Sequence, residues 1–181
     1  KELCNLWLSK LSEKVLTSPA TPWETREEIL VEYERLCKKY DSISIIANSI
    51  GAYFAMNALS EKKLERAFFI SPIVNMEKLI TDMMLLANVT EQELQEKQEI
   101  VTSFGETLSW KYLSYVKENP IIWNTATNIL YAGNDNLTSY ETICKFAEET
   151  NSSLKIMEDG EHWFHTEEQL TFLDNWLISI I

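Results

Sequence analysis

The stretch SISIIANSIGAYFAM, residues 42–56, places a hydroxyl where a hydroxyl could do chemistry. An apolar run over 43–47 meets Asn48-Ser49-Ile50-Gly51 and passes at once into a helix-like segment over 52–59. The polar pair and glycine fit a plain loop, and Ser49 alone fits a helix N-cap, where serine is favoured. They also fit a sharp strand-to-helix turn that holds one serine side chain up as a nucleophile. A serine hydroxyl attacks poorly at neutral pH unless a base stands beside it. The chain has two histidines, His162 and His165. No cysteine lies near either, which argues against a zinc site. The three cysteines, Cys4, Cys37 and Cys144, are odd in number and widely spaced without a CxxC pair, and read as reduced thiols. Cys37 is expected on the apolar face of a helix.

The elements that would position these groups alternate. A short strand is expected near 14–17. Thr21-Pro22-Trp23-Glu24 then reads as N-cap, proline at the first helical position and capping-box glutamate. The helix that follows puts Ile29, Leu30, Tyr33, Leu36, Cys37 and Tyr40 on one face. The run 43–47 is continuous and apolar, as in a strand buried on both faces of a parallel sheet. Beyond the helix over 50–59, residues 67–70 again read as strand. Between Ser71-Pro72 and Asn119-Pro120 only helices are expected, over 76–87, 91–100 (with Thr90 and Glu93 as a capping box) and 107–117. A strand over 128–132, a helix over 138–149, a strand over 153–157 and a last helix after Thr166 complete the pattern. Repeated β-α units predict an α/β fold, a mostly parallel sheet with helices on both faces. The whole, 1–181, reads as one domain in which about 73–120 is a helical insertion, the natural place for a cap.

Glycine usage points to one edge of that sheet. Only four glycines occur, where average usage would give roughly 13. Gly51, Gly133 and Gly160 fall just past the carboxyl ends of expected strands, the edge where open α/β sheets place their sites. The expectation is that each serves a tight turn or a close backbone approach.

With these features in place the chain resembles the α/β-hydrolase superfamily, and within it a small single-domain serine hydrolase with a helical cap. The family's nucleophile turn is G-x-S-x-G between strand and helix, followed in chain order by an acid and a histidine. Ala47-Asn48-Ser49-Ile50-Gly51 fills it, with alanine, still small, for the first glycine. The resemblance puts Asp135, in NILYAGNDNLTS, at the acid position. It puts His162, in MEDGEHWFHTEEQLTFLDNWL, at the base position. It implies that His162 takes the Ser49 proton, that Asp135 orients the imidazole, and that the Ile50 N–H faces the developing oxyanion. It also implies cleavage of a small, apolar carboxylic ester or thioester through an acyl-serine, with no metal and no cofactor. Trp163, Met84 and Trp110 are the expected substrate-binding residues.

Each assignment has a rival among neighbouring residues. His165 competes with His162 but sits nearer the last helix, facing solvent or capping it. Asp159 competes with Asp135 but would have to turn back on itself. Asn134 and Asn136 allow a plain Asx-turn at Asp135, and Glu161 reads as solvated. The other function classes are an acyltransferase or lyase on the same three residues, and a non-catalytic binding protein with this fold.

The family's second oxyanion donor comes from a loop after an earlier strand, often beginning His-Gly, and no such motif precedes Ser49. Residues 1–10 read instead like the helix that follows that loop. The expectation is that an N-terminal strand and its loop are absent from the given sequence.

Composition narrows the rest. Over 181 residues, 45% apolar and 24% charged content fits an ordinary globular protein. A net charge of −12 with no basic stripe argues against nucleic acid. No run approaches the roughly 20 apolar residues that cross a bilayer, so the expected partner is a small molecule and the expected location cytoplasmic.

Overall fold

Four parallel strands assemble because each expected β-α unit returns its chain to the same edge of the sheet. The computed structural model describes residues 20–180. The strand expected near 14–17 and the helix read over 1–10 lie outside the described residues. In chain order the elements are α1 (Pro22–Cys37), β1 (Ser44–Asn48), α2 (Ile50–Leu59), β2 (Arg66–Ile70), α3 (Met76–Leu86), α4 (Glu91–Lys97), β3 (Glu99–Val101), β4 (Thr107–Ser109), α5 (Trp110–Glu118), β5 (Thr127–Ala132), α6 (Tyr140–Glu149), β6 (Ser153–Met157) and α7 (Glu167–Ile180). The main sheet has the order β1-β2-β5-β6. Its register pairs Asn48 with Ile70, Ile70 with Leu130, and Ala132 with Met157, so the carboxyl ends of the strands come out along one edge.

The period-2 alternation of buried strands divides the core between two faces. Ala67, Phe69, Ile129 and Tyr131 pack with Ile29 of α1, Tyr53 and Met56 of α2, and Ile143 and Ala147 of α6. Phe68, Ile70, Leu130, Ala132 and Met157 point the other way, onto Trp176, Phe172 and Leu173 of α7. Helices therefore cover both faces, as the sequence pattern requires. Each fully buried large apolar side chain stabilises by about 1.5–3 kcal/mol.

Four local expectations are corrected. β1 is not buried on both faces: Ser44 is exposed and Ile46 is 39% exposed. Among the described residues it pairs with β2 alone, and its outer edge has no described neighbour. Cys37 is exposed rather than on the apolar face, because it is the last residue of α1 and stands past the helix's contact with the core. Thr21 makes no side-chain cap bond to the backbone; its hydroxyl donates instead to the Glu24 carboxylate at 2.7 Å. The insertion is not wholly helical, since α4 stops at Lys97 and a β3–β4 hairpin follows. The β-branched run Ile100-Val101-Thr102 suits a strand better than a helix. Gly105, at φ 94°, supplies the left-handed turn, and Leu108, 2% exposed, anchors the hairpin in the core. The capping box at the start of α4 does form on its serine-like side, with Thr90 Oγ1 accepting from the Glu93 N–H at 3.1 Å.

Candidate active site

Ser49 leaves β1 and enters α2 in one residue, at φ 51° and ψ −126°. That backbone is strained for a residue with a Cβ. Main-chain hydrogen bonds hold it there. Its N–H donates to Ile70 O at 3.0 Å, and its carbonyl accepts from the N–H groups of Ala52 at 3.1 Å and Ile73 at 3.0 Å. The side chain makes no cap bond to the helix, which removes the N-cap reading. Instead Ser49 Oγ lies 2.7 Å from His162 Nε2.

His162 Nδ1 in turn lies 2.8 Å from Asp135 Oδ2. A carboxylate only accepts, so Nδ1 carries the imidazole proton and Nε2 accepts from the serine hydroxyl. Ser49 is 7% exposed and His162 2% exposed, and the Asp135 side chain is fully covered. The other carboxylate oxygen, Oδ1, accepts from the N–H groups of Leu137 at 2.8 Å and Thr138 at 3.0 Å. The Asx-turn and the histidine contact are therefore both present, one on each oxygen.

The rivals go elsewhere. His165 is exposed and faces Glu161 at 3.5 Å, and its N–H donates to Gln169 Oε1 at 3.0 Å. Asp159 is exposed on its turn. Of the expected substrate-binding residues, Trp163 is 68% exposed and stands edge-on to the His162 ring, centroids 5.1 Å apart. Met84, 5% exposed, and the partly buried Trp110 pack in the hydrophobic cluster that joins the insertion to one face of the sheet. Ile50 opens α2; as the first helical residue its N–H has no intrahelical acceptor.

The glycine expectation holds at one position and fails at another. A Cβ on Gly133 would stand 2.1 Å from Glu158 O, so only glycine lets the end of β5 pass the turn after β6. There Gly133 N–H donates to Met157 O at 2.8 Å and Asn134 N–H to Gly160 O at 2.9 Å, which brings the Asp135 turn against the His162 loop. Gly51 has nothing within 4 Å of a Cβ. The tightness of the turn is carried by Ser49 itself, so Gly51 is not needed for close approach there.

Three residues beside Ser49, Asp135 and His162 are not expected from the sequence. Thr138 is 5% exposed, and its carbonyl accepts from Tyr131 Oη at 2.8 Å. Burial, reinforced by the Asp135 charge, pushes the Tyr131 phenol up to about 12, so it stays a neutral donor. Ser71, wholly buried at φ 40°, follows β2 as Ser49 follows β1. The spacing Asp135-x-x-Thr138 was the available signal, since it is that of an Asx motif. Among the described residues no three His, Cys, Asp or Glu side chains converge to hold a metal ion. None of the described helices is long and apolar enough to cross a membrane.

Solved structures share this architecture. A protein from Agrobacterium vitis S4 described as a hydrolase superposes with TM-score 0.71 at 17% identity, over 90% of this chain and 69% of that one. The mouse alpha/beta hydrolase domain-containing protein 10 gives 0.67 at 14% identity, over 90% and 71%. The chain has the α/β-hydrolase fold. Est1E from Butyrivibrio proteoclasticus shares it too, with TM-score 0.65 at 14% identity over 88% of this chain and 70% of its own. No protein-family model and no curated protein matches the sequence. In this α/β-hydrolase fold the order β1-β2-β5-β6 carries Ser49 after β1, Asp135 after β5 and His162 after β6, on one edge.

Proposed function

We propose that the protein is a serine hydrolase that cleaves a small, largely apolar carboxylic ester or thioester through an acyl-Ser49 intermediate. The observation that carries this is the continuous line from Ser49 Oγ to His162 Nε2 at 2.7 Å and from His162 Nδ1 to Asp135 Oδ2 at 2.8 Å, in a buried setting. In this reading His162 takes the hydroxyl proton as Ser49 attacks the carbonyl carbon, and returns it to the departing alcohol or thiol. Water then repeats the sequence on the acyl-serine and releases the acid. Asp135 keeps the imidazole in the tautomer whose Nε2 can act as base, and stabilises the imidazolium. The Ile50 N–H faces the oxyanion, a role whose loss typically costs about 10²–10³ in turnover.

The same reading makes 1–181 one domain with about 73–120 as its cap. Two features support it. Tyr115 of α5 exchanges hydrogen bonds with Asn57 of α2 at 3.2 and 3.3 Å, tying the insertion to the helix that starts at Ser49. The insertion's packed side is apolar, with Ile80, Met84, Leu108 and Leu113 buried. Met84 and Trp110 from the cap, with Trp163 beside the base, are the residues assigned to the acyl or alcohol group. One Est1E structure has ferulic acid bound, so aromatic as well as short aliphatic esters belong in the substrate screen.

The test is a serine-directed fluorophosphonate with intact-mass readout. One adduct per chain is expected, mapped to the peptide holding Ser49, and Ser49→Ala is expected to take up none. A parent that remains unlabelled, or labelling that persists in Ser49→Ala, would overturn the reading in favour of a non-catalytic binding protein. Product analysis with and without an added alcohol separates hydrolysis from acyl transfer on the same residues.

A further inference from the structure

The segment Ser71-Pro72-Ile73 runs between the nucleophile turn and the carboxylate turn and is bonded to both. On one side Ser49 N–H donates to Ile70 O at 3.0 Å, and Ile73 N–H donates to Ser49 O at 3.0 Å. On the other, Ser71 N–H donates to Leu130 O at 2.8 Å, and Thr138 Oγ1 donates to Pro72 O at 3.1 Å. Thr138 is also the residue whose N–H holds Asp135 Oδ1 at 3.0 Å. Its carbonyl is fixed by Tyr131 Oη at 2.8 Å. All three polar groups of Thr138 are thus engaged, each with a different neighbour. The sheet order explains the arrangement: β2 lies between β1 and β5, so whatever caps β2 must separate Ser49 from Asp135.

The segment is also strained. Ser71 holds φ 40°, is wholly buried, and its hydroxyl has no hydrogen-bond partner. A non-glycine residue persists in that region only where its surroundings over-determine it. Bonds from both turns supply that constraint. An unpartnered buried hydroxyl adds a further cost, so this is not the conformation that local preference would choose.

We infer that Thr138 is a positioning residue whose hydroxyl latches this strap and so fixes the separation of the Ser49 turn from the Asp135 turn. It acts through the carboxylate and the strap, and touches neither substrate nor the reacting atoms. The inference rests on the serine-hydrolase reading for its kinetic consequence but not for its geometric one. The hydroxyl matters here rather than the side-chain volume, because only the hydroxyl reaches Pro72 O.

The experiment compares the parent with Thr138→Val and Thr138→Ser by three readouts. These are steady-state hydrolysis of a short-chain aryl ester, the low-field proton resonance of His162 Nδ1, and thermal unfolding. Thr138→Val is expected to lower kcat about tenfold or more with KM within about twofold, because a misplacement of a catalytic group affects the reacting geometry before binding. Its Nδ1 proton resonance is expected to broaden or vanish through faster exchange. Thr138→Ser is expected to keep both within about twofold of the parent. If Thr138→Val does not fold, Tyr131→Phe replaces it, since it removes the bond to the Thr138 carbonyl at nearly constant volume; a kcat loss of about threefold and a weakened resonance are expected. Full activity and an unchanged resonance in the variant that folds, or equal losses in the valine and serine variants, overturn the inference. A parent inert toward esters and phosphonate defeats the hydrolase reading instead, and the resonance then decides the latch by itself.

Discussion

Asp135→Asn is expected to lower kcat about 10⁴-fold, equivalent to about 5.5 kcal/mol of transition-state stabilisation, while leaving the fold intact. The reason lies in how the carboxylate is held. Oδ1 accepts two backbone N–H bonds, from Leu137 and Thr138. An asparagine keeps them only by placing its carbonyl oxygen there, which turns its NH₂ toward His162. An amide nitrogen can only donate, so Nδ1 of His162 must become the acceptor and its proton moves to Nε2. That proton then points at Ser49 Oγ, and the imidazole no longer serves as base. Flipping the amide to rescue the tautomer would set NH₂ against two N–H donors, and the loss of an acceptor at the buried Thr138 alone costs about 1–3 kcal/mol. The structure therefore selects the inactive arrangement. Ester hydrolysis and the rate of phosphonate labelling measure the effect, with circular dichroism to confirm folding. Activity within about tenfold of the parent would mean that Asp135 does not set the His162 tautomer.

Gly133→Ala is expected to be the most damaging small substitution for stability, by about 3 kcal/mol or more. The added methyl would sit 2.1 Å from Glu158 O, 2.8 Å from its carbonyl carbon and 2.9 Å from its Cα. All three are backbone atoms, so no side chain can swing aside; the ends of β5 and β6 must part. Those ends carry Gly133 N–H to Met157 O and Asn134 N–H to Gly160 O, the bonds that bring the acid turn and the histidine loop together. Loss of stability and loss of activity should therefore coincide. Gly160→Ala makes a graded control, because its nearest contacts are 3.0 Å to Met157 O and 3.1 and 3.3 Å to the flexible Met157 side chain. Urea unfolding of both variants provides the comparison. A Gly133→Ala protein as stable as the parent would show that the two loops do not approach as described.

Much of this architecture is legible in residue order. Apolar runs bounded by polar residues mark β1, β2 and β5, the alternation Leu154-Lys155-Ile156 marks β6, and their succession with helices points to a parallel sheet with covered faces. The misreadings occur where a local pattern serves two structures equally well. Ile100 closes one expected helix and Thr107 opens the next, yet the β-branched run and Gly105 turn that stretch into a hairpin packed by Leu108. Periodicity cannot separate these, because only the core contact of Leu108 breaks the tie. Apolar content at Cys37 and Ile46 likewise says nothing about whether a neighbour arrives to cover them.

At the site, residue types and their order say which side chains could take part. It offers one serine at a strand-to-helix junction, two histidines, and an aspartate in a turn after a later strand, in an order compatible with the fold. The tertiary structure alone decided which histidine meets the serine, that Ser49 spends its hydroxyl on His162 and not on capping α2, and that Asp135 serves an Asx-turn with one oxygen and the imidazole with the other. It alone brought Ser71, Pro72 and Thr138 between the two turns. The physical reason is that residue type sets what a group can donate or accept, whereas distance and orientation between remote groups are set by strand order and register. Those in turn are properties of the whole packed sheet, and no short stretch of chain contains them.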